Sequence, residues 1–197
     1  MEKNEPLLAM KHFMAQSVRL SETEWKSIES FYETLTLQKD ELLLKQGEIC
    51  KKLAFVVSGV LRQFRSEDVD EYAYDFSFKE DYAVDFSSFI GEKPATIGIS
   101  ALRPSVVICI SKENLEKAYK LSPVFQEFGR LMVERAFVYD DERVKSLLYD
   151  TPEERYLNLM SRDPDLLQEI PLYAIASYLG IRPESLSRVR ANLSKKK

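Results

Sequence analysis

The spacing of apolar residues changes period along the chain and divides it into parts. Residues 5 to 34 read as helical: Ser21 precedes Glu24 at capping-box spacing, and Trp25, Ile28, Phe31, Tyr32 and Leu35 follow on one helical face. The period then shortens. Glu41 to Lys45, Leu53 to Val57, Val60 to Phe64, Tyr72 to Phe78 and Val106 to Ile110 are short runs rich in β-branched or aromatic residues, with turn signals between them. Ser58-Gly59 between two apolar runs predicts a hairpin turn. Tyr72, Tyr74, Phe76 and Phe78 alternate with Ala73, Asp75 and Ser77, which predicts one aromatic strand face, core first and ligand pocket second. Several short strands at this spacing predict an antiparallel roll or barrel.

A helical period returns at Ser122-Pro123, a cap followed by proline in the first turn. Phe125, Phe128, Leu131, Met132, Val138, Tyr139, Leu147 and Leu148 keep it going to Leu148. A helix this long exceeds what one small roll can cover. Its apolar stripe either pairs with the same helix of a second copy or packs in part on its own roll. Asp150-Thr151-Pro152 breaks it, and another helix runs from Thr151 to about Pro164. Three parts are therefore expected: 1–121, helices and roll; 122–150, the long helix; 151–197, a small helical unit.

The last unit carries the sharpest signal. In Ile170–Leu193, Ala176 lies four residues before Gly180 and Leu186 six after it, with Ile175, Leu179, Ile181 and Val189 as further apolar positions. A small residue lets two helices approach closely, and glycine tolerates positive φ at the turn between them. The spacing predicts a helix-turn-helix whose second helix turns Arg182, Glu184, Ser185, Ser187, Arg188 and Arg190 outward. Charge agrees. The chain holds 28 Lys+Arg against 32 Asp+Glu, yet Tyr178–Lys197 holds six basic residues against Glu184 alone. A basic end on an acidic body suits phosphate contact, although Lys195–Lys197 also reads as a solvated tail.

Composition narrows the classes. A hydrophobic fraction of 45% builds cores. No apolar run approaches the roughly 18 residues of a membrane span, and MEKNEPLLAMKHFM has no signal-peptide character, so a cytoplasmic protein is expected. Cys50 and Cys109 sit in apolar surroundings and read as buried reduced thiols. Two cysteines and His12 do not suffice for an iron–sulfur cluster or an ordinary zinc site. No cofactor is expected. Phosphate loops, nucleophile–histidine pairs and metalloprotease motifs are missing, so an enzyme is not expected either.

The order of parts, together with Leu43–Glu48 followed by Leu53–Val60, resembles the Crp-Fnr family of bacterial transcription regulators over nearly the whole chain. The resemblance implies an α+β fold: an antiparallel β-roll of the cyclic-nucleotide-binding jelly-roll kind, a long dimerisation helix, and a C-terminal winged-helix-like helix-turn-helix. The wing after the second helix is expected to be absent, because the chain stops at Lys197. Implied partners are palindromic promoter DNA, a second copy of the chain, RNA polymerase and a small effector. By the same resemblance the base-reading positions fall on Pro183, Glu184 and Arg188. Arg188 suits a guanine and Glu184 a cytosine amino group, unless Glu184 only complements the helix N-terminus. Pro183 has no side-chain donor for a base edge. Arg182, Ser185 and Ser187 are phosphate contacts, and Arg190 adds to the basic face.

The effector segment departs from the family pattern. A Gly-Glu pair followed ten residues later by Arg and Ser/Thr is replaced by Val84-Asp85 and then Ala95-Thr96. The arginine that would neutralise a cyclic phosphate is missing, and Asp140 and Asp141 stand where the long helix would meet a purine. Asp85, Phe86, Ala95, Thr96 and Asp140 are the candidate pocket residues. Weak or no binding of cyclic AMP or cyclic GMP is expected.

Overall fold

The computed structural model describes residues 5–68, 70–162, 164 and 170–195. Among the described residues eight strands form: β1 (Tyr32–Leu37), β2 (Leu42–Leu44), β3 (Lys52–Ser58), β4 (Leu61–Glu67), β5 (Asp70–Ser77), β6 (Tyr82–Ala83), β7 (Gly98–Ala101) and β8 (Ser105–Ser111). Around them lie α1 (Glu5–Ala15), α2 (Glu22–Ile28), α3 (Phe86–Gly91), α4 (Lys112–Leu121), α5 (Pro123–Tyr149), α6 (Pro152–Arg162), α7 (Leu172–Tyr178) and α8 (Pro183–Lys195). The strands make two antiparallel four-stranded sheets, ordered β1-β8-β3-β6 and β2-β7-β4-β5.

Local chemistry explains most boundaries. Ser21 Oγ accepts from the Glu24 N–H at 3.3 Å, and the Glu24 carboxylate accepts from the Ser21 N–H at 2.8 Å. This capping box starts α2 and buries Trp25 and Ile28. Ser122 Oγ accepts from the Phe125 N–H at 3.2 Å ahead of Pro123, starting the 27-residue α5. Thr151 and Glu154 repeat the capping box at α6, with the Thr151 N–H donating to the Glu154 carboxylate at 2.7 Å.

Four features differ from the sequence reading. Helix ends at Ile28 and a single 3-10 turn, and residues 32–34 join a strand instead: Thr34 and Thr36 alternate with Leu35 and Leu37, and β8 pairs along the whole run. Ser58-Gly59 is not a hairpin. β3 and β4 belong to different sheets, so this turn carries the chain round the corner of the roll. The aromatic alternation of β5 is broken by a bulge opposite Gln63/Phe64, where Gln63 faces Asp75 but Phe64 faces Ala73. Phe76 and Phe78 are buried, while Tyr72 and Tyr74 are exposed. The elements β6, β7, α3 and α4 are not among the runs expected from the sequence; β6, β7 and α3 are short, and α4 is capped by Ser111.

Three apolar clusters fill the molecule. Between the sheets lie Val56, Leu61, Val84, Phe89, Ile99 and Val107. The outer face of the first sheet packs Phe55, Ile108 and Ile110 against Met14, Trp25 and Phe125 from the helices. The outer side of the second sheet contributes Val60, Ala73, Phe76, Phe78 and Leu102, and this face meets Tyr156, Ile175, Tyr178 and Leu186 of the helical end. The helix-turn-helix therefore has no separate core; it shares one with the wall of the roll. Cys50 and Cys109 are buried free thiols, and burial pushes Cys109 up to about 12.

Candidate nucleic-acid interface and effector pocket

α7 ends in a Schellman turn. The Ile181 N–H donates to Ala176 O at 3.0 Å and the Gly180 N–H to Ser177 O at 2.9 Å, with Gly180 at φ +66°. Ala176, Ile175, Leu179 and Leu186 are fully buried, each large side chain contributing roughly 1.5–3 kcal/mol. Ile181, Val189 and Leu193 pack on the same cluster. That burial fixes which face of α8 looks outward. Arg182, Pro183, Glu184, Ser187 and Arg188 are exposed, and Ser185 and Arg190 are half-buried. Glu184 and Arg188 stand one turn apart. Arg188 Nη2 donates to Ser185 Oγ at 3.3 Å, and Ser187 Oγ donates to Pro183 O at 3.1 Å. The expected reading positions thus share one solvent-facing surface. Lys196 and Lys197 lie outside the described residues.

The effector-segment residues come together differently. Asp85 caps α3: its carboxylate accepts from the Ser88 N–H at 2.9 Å, Ser87 Oγ at 2.9 Å, the Thr96 N–H at 2.9 Å and Thr96 Oγ1 at 3.3 Å. Burial opposes its ionisation, but these hydrogen bonds outweigh it and hold the carboxyl below its ordinary value. Asp85 and Thr96 therefore clasp each other. Ala95 is buried, its N–H donating to Glu48 O and its carbonyl accepting from the Gly47 N–H. Phe86 is 41% exposed beside them. Asp140 is exposed on α5, its carboxyl raised by partial desolvation.

Tyr74, which alternation assigned to an aromatic core face, stands near these groups instead. Desolvation, followed by Asp140, Asp75 and Asp85, raises its hydroxyl pKa, with Arg143 opposing. Three carboxyl groups and one guanidinium act on it, a balance that does not suit a cyclic phosphate. Grooves of about 580 and 600 Å³ open elsewhere on the roll, one beside Leu42 and Ile49 and one beside Arg62 and Phe64, and neither is lined by the five expected pocket residues.

Residues 34–121 match the cyclic nucleotide-binding domain family. No curated protein matches the chain by sequence. Among solved structures, FixK2 from Bradyrhizobium japonicum is similar at 18% identity with a TM-score of 0.67, covering 84% of this chain and 85% of that one. A protein from Eubacterium rectale, described as a transcriptional regulator of the Crp/Fnr family, is similar at 17% identity and a TM-score of 0.68, covering 90% of this chain and 85% of that one. The c-di-GMP responsive global regulator CLP of Xanthomonas campestris is similar at 15% identity and 0.65, covering 89% and 93%. Residues 34–121 thus match the cyclic nucleotide-binding domain family, and the chain as a whole has the fold of these solved proteins.

Proposed function

We propose that the chain is a homodimeric, sequence-specific DNA-binding transcription regulator that acts on promoters with RNA polymerase. The observation that carries this reading is the solvent-facing surface of α8, where Arg182, Glu184, Ser187 and Arg188 are held open by a buried apolar face. Its shape and basic character suit the major groove. Dimerisation is supported by α5, which exposes Val133, Phe137, Val144 and Leu148 at spacings of four and seven residues. A second copy seated there makes an isologous contact and presents two reading helices to a palindrome, with half-sites about 34 Å apart.

Selection from random duplex DNA by the purified protein tests the reading. A palindrome should be enriched. Arg188→Ala should weaken binding to it by about 1–3 kcal/mol and relax preference at one base pair per half-site. Enrichment of no sequence by the wild-type protein would sink the reading.

The effector is neither cyclic AMP nor cyclic GMP in this proposal. The Asp85 carboxylate is engaged internally, Ala95 is buried, and the arginine that would pair a cyclic phosphate is replaced by Ala95. An unpaired phosphate there costs several kcal/mol. Calorimetric titration with either nucleotide should show no saturation into the millimolar range, and the melting temperature should not rise. Saturable binding at micromolar concentration would contradict this assignment.

A further inference from the structure

Three arginines tie the helical end to the rest of the molecule, and one of the ties reaches the effector side of the roll. Tyr139 of α5 donates from Oη to Asp75 Oδ1 of β5 at 2.8 Å. The same hydroxyl accepts from Arg162 Nη1 of α6 at 3.1 Å. Arg162 Nη2 pairs with Asp81, just before β6, and its guanidinium lies 4.5 Å over the Phe78 ring. One polar chain therefore joins the roll, the long helix and the DNA-reading unit. Beside it, Arg143 of α5 donates to Tyr178 O and stacks on the Tyr178 ring at 3.9 Å; that ring sits 5.0 Å from Phe76 of β5. Arg155 donates from Nε to Leu179 O at 2.9 Å and from Nη1 to Asp150 O at 2.6 Å, satisfying carbonyls at the ends of α7 and α5.

Adjacent residues on the same two elements belong to the effector side. Tyr74 precedes Asp75 on β5, and Asp140 follows Tyr139 on α5; Tyr74 feels the charges of Asp140 and Asp85. The reading face of α8 stays exposed while the chain is closed, so the closed arrangement does not occlude DNA contact.

We propose that Asp75, Tyr139, Arg162 and Asp81 form a latch that sets the position of the DNA-reading helix, and that its closed form is the DNA-binding state. The proposal rests on the DNA-binding reading above. A closed latch holds α8 in one place, so the two helices of a dimer meet one half-site spacing without an ordering cost on binding. An opened latch leaves the helical end held by its apolar contact with the roll and by Arg143 and Arg155, without the polar chain that fixes its register.

The test uses the full chain with Arg162→Gln and, separately, the milder Tyr139→Phe. Hydrogen exchange of the DNA-free protein should become about tenfold faster or more in β5 and α7, with α1, β3 and β8 unchanged. The palindrome should bind about tenfold more weakly to either variant, and the penalty for inserting base pairs between half-sites should shrink. Unchanged exchange, or exchange that rises uniformly through the protein, would overturn the latch. Tighter DNA binding by the variants would overturn the assignment of the closed form as the binding state. If the wild-type protein selects no DNA sequence, the DNA-binding reading fails on that result, and the exchange data still decide whether the latch exists.

Discussion

Phe137→Glu should convert the protein to a monomer and remove its binding to a palindromic duplex. Phe137 is 75% exposed in a single chain, an unusual place for so large an apolar side chain, and Val133, Val144 and Leu148 continue its stripe along α5. In a two-fold contact each residue counts twice. Burying Phe137 on both copies contributes roughly 3–6 kcal/mol, and a carboxylate in its place adds a desolvation cost. Dimer dissociation should shift by about three orders of magnitude or more. Sedimentation at micromolar concentration reads this directly. Thermal unfolding of the monomer supplies the control: a side chain already in water contributes little to the fold of one chain, so the single-chain melting transition should persist. A variant that still sediments as a dimer would show that α5 is not the contact.

Gly59→Ala should be among the most damaging single changes to the fold. Gly59 turns the corner between β3 and β4 at φ +90°, which disfavours any β-carbon. An added β-carbon would also stand 2.1 Å from Ser105 Oγ and 2.7 Å from Ser105 Cα, so backbone has to move. Ser105 is itself fixed: its hydroxyl accepts from the Val60 N–H at 3.2 Å and donates to Arg103 O at 2.7 Å. Backbone strain of about 1–3 kcal/mol and overpacking of about 1–3 kcal/mol act together. For a chain of this size the melting temperature should fall by about 10 °C. Gly47→Ala separates the two causes, because Gly47 has φ +88° but open space at its β-carbon position. Its cost should be the conformational part alone. Equal losses in the two variants would refute the steric account of the Gly59 corner.

What could be read from the chain alone was local in origin. The Ser21–Glu24 capping box, the Ser122-Pro123 start, the Asp150-Thr151-Pro152 break and the Ala176–Gly180–Leu186 spacing each act within a few residues, so they are visible in one dimension and appear in three. The same holds for the outward set Arg182, Glu184, Ser187 and Arg188, whose exposure follows from a 3.6-residue period once the apolar positions are known. Strand pairing is different in kind. Whether Ser58-Gly59 closes a hairpin or crosses between sheets depends on where β8 and β7 lie, up to about fifty residues away in the chain. The β5 bulge depends on β4, and with it Tyr74 stands on the exposed side while Phe76 is buried. Asp85 read as a ligand position because its segment matches one; only the fold brings Thr96 close enough to occupy its carboxylate. The contacts of Arg143, Arg155 and Arg162 have no sequence signature, since a lone arginine on a helix looks the same whether it meets water or a carbonyl 35 residues away. Periodicity and capping determined most of the elements and the outward face of α8; the short elements, the pairing of strands, the filling of the pocket segment and the ties between roll and reading helix came from long-range packing.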